Sequence, residues 1–325
     1  MTDGLLRRAS ADARYEPGLE GLVDDLSDPA LAVDSLLVVR EDEVICEHWW
    51  DGYLPSAPHA MYSVTKTLTA TAVGIAIDEG RMGLDDPIRG YLGPAGASID
   101  AATTIRHLLT MSSGRAAGEL RLGPLTSEQA VEAFAGLPQR TAVGAEFAYC
   151  SLSSHLLGLA VSSAVGMTLL EFLELRVFAP LRIATPAWET DRTGNQLGGT
   201  GLFLTTNDLA KVGALLRDGG VFGGYRLFSE EWHTVATSTQ IGTAAPGETR
   251  QEWMQGYGFQ LWRGLHDVFR ADGMLGQFCV VAPSRRLVVV TTARSSHTDR
   301  ILAAIADRLL ASPARGIRAA VSGIE

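Results

Sequence analysis

A chain of 325 residues with 46% hydrophobic and 20% charged residues can fold as one large domain, or two intimate subdomains, around a sizeable core. Its net charge of −10, with no Lys/Arg cluster, excludes a surface built to grip a phosphate backbone, so no nucleic-acid partner is expected. Three widely spaced cysteines, Cys46, Cys150 and Cys279, form neither a disulfide framework nor a zinc site and read as reduced thiols; neither metal nor cofactor is expected.

The opening stretch, MTDGLLRRASADARYEPG, lacks the apolar core of a secretory signal, which makes the cytoplasm the expected location. Leu19 to Leu26 reads as an amphipathic helix. Ser35 to Arg40 and Glu43 to Trp49 read as two strands around the charged turn Glu41-Asp42. A helix is expected from Ser63 to Glu79, stopped by Gly80 and apolar nearly all round, hence buried in the middle of the fold. Further helices are expected at Thr104–Met111, Leu152–Val165, Thr168–Phe178 and Asn207–Asp218. The weakly charged stretch from Phe147 to Leu170 is broken by polar residues and reads as packed helices, not a membrane span. Strand character returns at Gly256–Arg263, Asp267–Ala271, Phe278–Ala282 and Leu287–Thr292, and a helix from Asp299 to Ala311 closes the pattern. Early and late strands are expected to form one antiparallel sheet, with terminal helices on one face and the helical insertion on the other. This is an α+β arrangement: a single domain, with an α/β subdomain from about 1–84 and 251–325 and a helical subdomain at about 85–250.

Chemistry enters at Ser63-Val64-Thr65-Lys66. Three residues is about one helical turn, so Ser63 and Lys66 share a face. An alcohol needs a nearby base to become a nucleophile, and a desolvated lysine can supply one or stabilise a phenolate beside it. The chain has 27 basic residues and only two lysines, Lys66 and Lys211, so a lysine followed by Leu68, Ala70, Ala72, Val73, Ile75 and Ile77 is costly unless partnered. A second group, Tyr149-Cys150-Ser151, precedes a helix.

These two motifs resemble those of class C β-lactamases, their esterase relatives and 6-aminohexanoate-dimer hydrolases, which carry S-x-x-K, then Y-x-N or Y-x-S, then a glycine-bearing strand motif. The resemblance extends through His107–Gly114, Phe178-Ala-Pro-Leu181 (with Arg182 in place of a glycine), Gly198–Leu202 and Thr205–Gly213. It implies the β-lactamase/transpeptidase-like fold, Ser63 as nucleophile, Tyr149 as general base alone or with Lys66, and an oxyanion hole from the backbone N–H groups of Ser63 and Met274. A free tyrosine has a pKa near 10, and an adjacent ammonium is expected to lower it.

The third motif departs from the family. Where K/H-T/S-G is usual, this chain has Ala271-Asp272-Gly273. The cation that would hold a substrate carboxylate is missing and an aspartate stands in the hydroxyl's place. A neutral ester or amide, or one with an amine close to the cleaved bond, is therefore expected as substrate, with Asp272 either facing the cleft or, by strand alternation, pointing away. Ser151, Asp272, Gly273 and Trp188 are the expected substrate-contacting residues; His155 more plausibly packs or caps than reacts. Three functions fit: hydrolysis through an acyl-Ser63 intermediate, acyl transfer from the same intermediate to an amine or alcohol acceptor, or binding without catalysis. No G-x-S-x-G or H-E-x-x-H is present. Oligomeric state is not legible.

Overall fold

The computed structural model describes residues 6–9, 18–116, 123–245 and 247–311. A two-residue strand, β1 (Arg7–Arg8), precedes α1 (Leu19–Leu26), which buries Leu19, Leu22 and Leu26. The expected hairpin is β2 (Val33–Arg40) and β3 (Glu43–Trp49). Next come β4 (His59–Ala60), a 3-10 turn at Tyr62–Val64, and α2 (Thr65–Asp78). The helix expected from Ser63 thus starts as a tighter turn. It stops where Gly80 takes φ +68°, a conformation that suits glycine after a helix. Burial of α2 from Thr65 through Ala76 matches its apolar circumference.

The middle of the chain contains α3 (Ile105–Leu109), α4 (Ser127–Gly136), α5 (Ser151–Val165) and α6 (Leu169–Leu173), the last running on as a wider π turn to Phe178. There follow β5 (Phe203–Leu204), paired with β4, then α7 (Thr206–Arg217), the small hairpin β6 (Val221–Phe222) and β7 (Tyr225–Arg226), and α8 (Glu230–Thr237). Helices α4 and α8 were not expected. The signal for α4 is the capping box in which Thr126 and Gln129 satisfy each other's backbone N–H; Ser229 caps α8 by accepting from the Trp232 amide.

The late strands are β8 (Trp262–Arg263), β9 (Phe269–Gly273), β10 (Gln277–Ala282) and β11 (Leu287–Ala293), followed by α9 (Thr298–Ile305) and a π turn ending at Leu310. The strand expected over 256–263 shrinks to two residues. Tyr257 bridges Trp262 and Gln260 takes φ 57°, so this aromatic stretch folds back on itself.

One sheet has the order β1-β3-β2-β11-β10-β9-β8. Every pairing is antiparallel except β1 with β3, so the sheet is mixed at its short edge. Side chains alternate across it. Leu37, Val39, Val281, Val288 and Val290 join a core with α2, α5 and α7, while Leu36, Val38, Val280 and Val289 join a second core under α1 and α9. Helix α7 lies close on the sheet at Gly213, where a Cβ would come within 2.5 Å of Val288. The three cysteines are free thiols. Among the described residues no single helix is long and apolar enough to cross a membrane; Ser151–Val165 and Leu169–Phe178 reach that length only as a pair bent by 74°.

Candidate active site

Ser63 is presented by a strained turn. The Met61 amide donates to the Leu202 carbonyl at 2.8 Å, then Tyr62 adopts φ 45°, a left-handed conformation that costs a non-glycine residue about 1–2 kcal/mol. The chain turns sharply there and leaves Ser63 half-exposed while Val64 and the helix behind it are buried.

One helical turn on, Lys66 is 1% exposed, and its Nζ lies 2.8 Å from Ser63 Oγ and 2.7 Å from the Gly199 carbonyl. It also stands 5.2 Å from the centre of the Tyr149 ring. The Tyr149 phenol is near enough to the Ser63 hydroxyl for that hydroxyl to act on its pKa. Three residues from two distant segments thus meet around one hydroxyl. Tyr149 arrives there because it immediately precedes Cys150 and α5, which packs against α2.

Burial sets the protonation states. Desolvation pushes the Lys66 amine down to about 7, only partly opposed by Cys150. Desolvation drives the Tyr149 phenol well above its ordinary value; the nearby Ser63 hydroxyl opposes this and the charge on Asp272 adds to it. The expected lowering of Tyr149 by an ammonium is therefore not what the site does. The tyrosine ring is half-buried but its hydroxyl end is enclosed, so the phenolate is the disfavoured form.

Gly199 is a participant that motif matching alone did not assign. Its carbonyl meets Lys66, while the Gly198 carbonyl accepts from Thr69 Oγ1 at 2.7 Å. Both glycines are needed for close approach. A Cβ on Gly198 would collide with the Ser154 carbonyl, and one on Gly199 would lie 2.8 Å from the Ser151 carbonyl. Ser151, the first residue of α5, thus backs the turn with its main chain. Trp188 is buried at 8% exposure, and its indole N–H donates to the carbonyls of Leu197 and Thr200, both at 3.1 Å. It braces the same turn from within the core, and its burial does not favour the substrate-contacting role expected for it.

On the sheet side, Gly273 lies against the turn that carries Ser63: a Cβ there would sit 2.5 Å from the Met61 carbonyl oxygen. This close approach puts the following residue, Met274, beside the Ser63 segment, with its side chain 50% exposed. Asp272 is held by Arg270, whose Nε lies 3.1 Å from its Oδ2. Burial raises the Asp272 carboxyl, and Arg270 opposes that. The aspartate is thus neither turned wholly away, since its charge reaches Tyr149, nor a free anion in the cleft. Arg270, itself 0% exposed, sits 4.8 Å from the Trp253 ring and 5.9 Å from that of Trp262. Trp262 in turn stacks on Tyr149 with centroids 6.2 Å apart and planes 20° from parallel. The pairing of Arg270 with Asp272 was readable as two same-face residues of one strand; nothing in the sequence linked Trp262 to Tyr149.

The family model described as Beta-lactamase matches residues 19–312. The chain belongs to the beta-lactamase family. A relative, the 6-aminohexanoate-dimer hydrolase of Paenarthrobacter ureafaciens, is 30% identical over 278 residues, covering 77% of this chain and 70% of its own. Among solved structures, SurE with D-Leu superposes with TM-score 0.73 at 23% identity, over 92% of this chain and 75% of that one. EstCE1, described as a hydrolase with promiscuous acyltransferase activity, gives TM-score 0.72 at 17% identity, over 92% and 98%. At these identities the structural likenesses establish the fold of this beta-lactamase family member, as the α+β architecture already indicated.

Proposed function

We propose that this protein is a serine hydrolase that cleaves a small, uncharged ester or amide through an acyl-Ser63 intermediate. The observation that carries the reading is the buried Lys66 amine, 2.8 Å from Ser63 Oγ, with its pKa brought to about 7. Near neutral pH an appreciable fraction is then unprotonated and able to take the serine's proton. Ser63 Oγ attacks the carbonyl carbon as its proton passes to Lys66. The resulting oxyanion faces the amides of Ser63 and Met274. Collapse breaks the bond to the leaving oxygen or nitrogen, which takes a proton from the Tyr149 hydroxyl, and Lys66 returns the proton to Tyr149. Water then attacks the acyl-enzyme by the same route in reverse, freeing the acid and Ser63. Lys66 thus serves as the base and Tyr149 as the proton carrier, a division favoured by the opposite directions in which burial moves their pKa values.

Third-motif chemistry supports an uncharged substrate. Ala271 supplies no cation, and the charge of Asp272 is compensated by a buried Arg270. Gly273 lies against the Ser63 turn and Ser151 backs the Gly198–Gly199 turn through its main chain, while Trp188 braces that turn from behind. Capture of the acyl group by an amine or alcohol instead of water is the second reading, favoured by the structural likeness to EstCE1.

Intact-mass spectrometry after incubation with a fluorophosphonate and with p-nitrophenyl esters tests the proposal. One adduct on Ser63, absent in Ser63→Ala, is the expected result. Labelling elsewhere, or undiminished turnover by Ser63→Ala, overturns it. Adding amines to the ester reaction and looking for amide product separates transfer from hydrolysis.

A further inference from the structure

Helix α5 carries a buried imidazole that the proposed mechanism does not use. His155 is 0% exposed, and its Nε2 lies 3.6 Å from Oδ2 of Asp191, whose side chain is also 0% exposed. On its other edge, Nδ1 accepts from the Gly198 amide at 3.4 Å. The partners assign the tautomer: Nδ1 must be bare to accept, so the ring proton belongs on Nε2, facing the carboxylate. Asp191 is in turn fixed by the Ser127 hydroxyl at 2.5 Å, the Thr193 amide at 2.8 Å and hydroxyl at 2.7 Å, and the Asn195 amide at 3.0 Å. Burial would raise this carboxyl, but the facing His155 ring and the hydrogen bonds from Ser127, Thr193 and Asn195 outweigh it and hold it below its ordinary value. At 3.6 Å the carboxylate is outside hydrogen-bond reach and His155 Nε2 has no hydrogen-bond partner among the described residues, so Asp191 biases the ring only through its charge, and the bond the ring makes is the one to the Gly198 amide.

We propose that His155 is a positioning residue for Lys66: it pins the Gly198 amide so that the adjoining Gly199 carbonyl stays on the lysine amine. The geometry is that of a clamp. The Gly198–Gly199 turn is wedged between α2 and α5, with no room for a Cβ on its α5 side. On the α2 side its two carbonyls accept from Thr69 and Lys66, one turn apart on the same helical face. On the α5 side the polar fastener is His155. Without it the turn keeps van der Waals contact with α5 but loses the bond that sets its rotation, and with that the alignment of the Gly199 carbonyl. Lys66 would then hold only the Ser63 hydroxyl, and its amine would no longer be aimed. Removing a carbonyl acceptor also withdraws support from the ammonium form, so the lysine would lose its proton at lower pH. The groups that face Lys66 are Ser63 from its own segment, Tyr149 and Cys150 from the start of α5, and the Gly199 carbonyl from the turn; Asp272 acts on Tyr149.

The inference rests on Lys66 acting as the base for Ser63, and the test separates the two. Ser63 labelling by a fluorophosphonate is followed between pH 5 and 10, as about the range that brackets both lysine states, in the full chain and in His155→Leu and His155→Asn. Wild type labels at Ser63 with an acid-side inflection near 7. His155→Leu is expected to label the same serine on the order of 10- to 100-fold more slowly, with the inflection moved to lower pH. His155→Asn, whose Oδ1 can replace Nδ1 as acceptor, is expected to restore the inflection and most of the rate. A His155→Leu protein with a lowered melting temperature but an unmoved inflection overturns the inference, because a merely structural histidine would behave so; failure of Asn to rescue overturns it as well. If His155→Leu does not fold, Thr69→Val loosens the same turn from the α2 side and must shift the inflection in the same direction; an unmoved inflection there is equally fatal. Absence of wild-type labelling at Ser63 removes the parent reading, and this inference with it.

Discussion

The start of α2 and the middle of α7 hold the chain's two lysines, and they solve the same problem in opposite ways. Lys66 is 1% and Lys211 5% exposed, and each lies three residues after an oxygen-bearing side chain on its own segment. Lys211 meets a carboxylate, with its Nζ 3.0 Å from Asp208 Oδ1 and 3.0 Å from the Arg182 carbonyl. Lys66 hydrogen-bonds the Ser63 hydroxyl and the Gly199 carbonyl, with the Tyr149 ring 5.2 Å away and no carboxylate partner among the described residues. A carboxylate offsets the cost of burying an ammonium; neutral oxygens offset it poorly, so desolvation wins and Lys66 gives up its proton near pH 7. The difference between the two surroundings is a counter-charge, present beside Lys211 and missing from the hydrogen bonds of Lys66.

Exchanging each lysine for methionine is the sharpest way to break this contrast. Lys66→Met should lower kcat/KM for a p-nitrophenyl ester by about 10²–10⁴-fold, the range for loss of a general base, whereas Lys211→Met should leave the rate within about threefold, as expected of a residue outside the chemistry. Stability should move the other way. Lys211→Met strands Asp208 and is expected to cost about 1–3 kcal/mol. Lys66→Met removes a poorly compensated charge and should be more stable than wild type at neutral pH, by urea denaturation. Equal losses of activity in both variants would erase the distinction.

The pH dependence sharpens it next. With the neutral amine as the working form proposed above, kcat/KM should rise with pH and level off above an inflection near 7, with no further rise toward 10.5. For stability the sign follows from the lowered folded pKa. The unfolded lysine binds a proton up to its ordinary 10.5, whereas the folded one releases it near 7. Between those values the unfolded state holds more protons, so the penalty is full below about 7 and is relieved as pH rises toward 10.5. The advantage of Lys66→Met over wild type should shrink across that window.

The smallest expected effect on rate concerns the third strand. Asp272→Asn leaves the buried Arg270 with Glu252 at 3.4 Å as its carboxylate partner. It should cost about 1–3 kcal/mol in stability, while turnover of a neutral ester changes by less than about tenfold, since the group tunes Tyr149 without touching the reacting atoms. A large loss of rate with unchanged stability would mean that Asp272 contacts the substrate directly.

Much of this was legible in the residues. The strands β2, β3, β10 and β11 announce themselves by β-branched runs, and α2 by apolar residues around its whole circumference, which forecast its central burial. The S-x-x-K spacing placed Ser63 and Lys66 on one face, where they are found. Less legible was the aromatic stretch before β8, where propensity favoured a strand and the backbone turns back instead at Gln260. The cap at Thr126 that opens α4 was a local signal left unread.

Local chemistry thus determined which segments become helix or strand, and which hydroxyl has an amine one turn away, because both depend on neighbours within a few residues. Only the tertiary structure decided the protonation logic. That Lys66 lacks a carboxylate, that Tyr149 is pushed up and not down, that Asp272 is spoken for by Arg270, and that Gly199 rather than a side chain completes the lysine's coordination all depend on segments brought together from far apart in the chain. Desolvation and charge compensation are properties of a closed environment, and no stretch of sequence carries its environment with it.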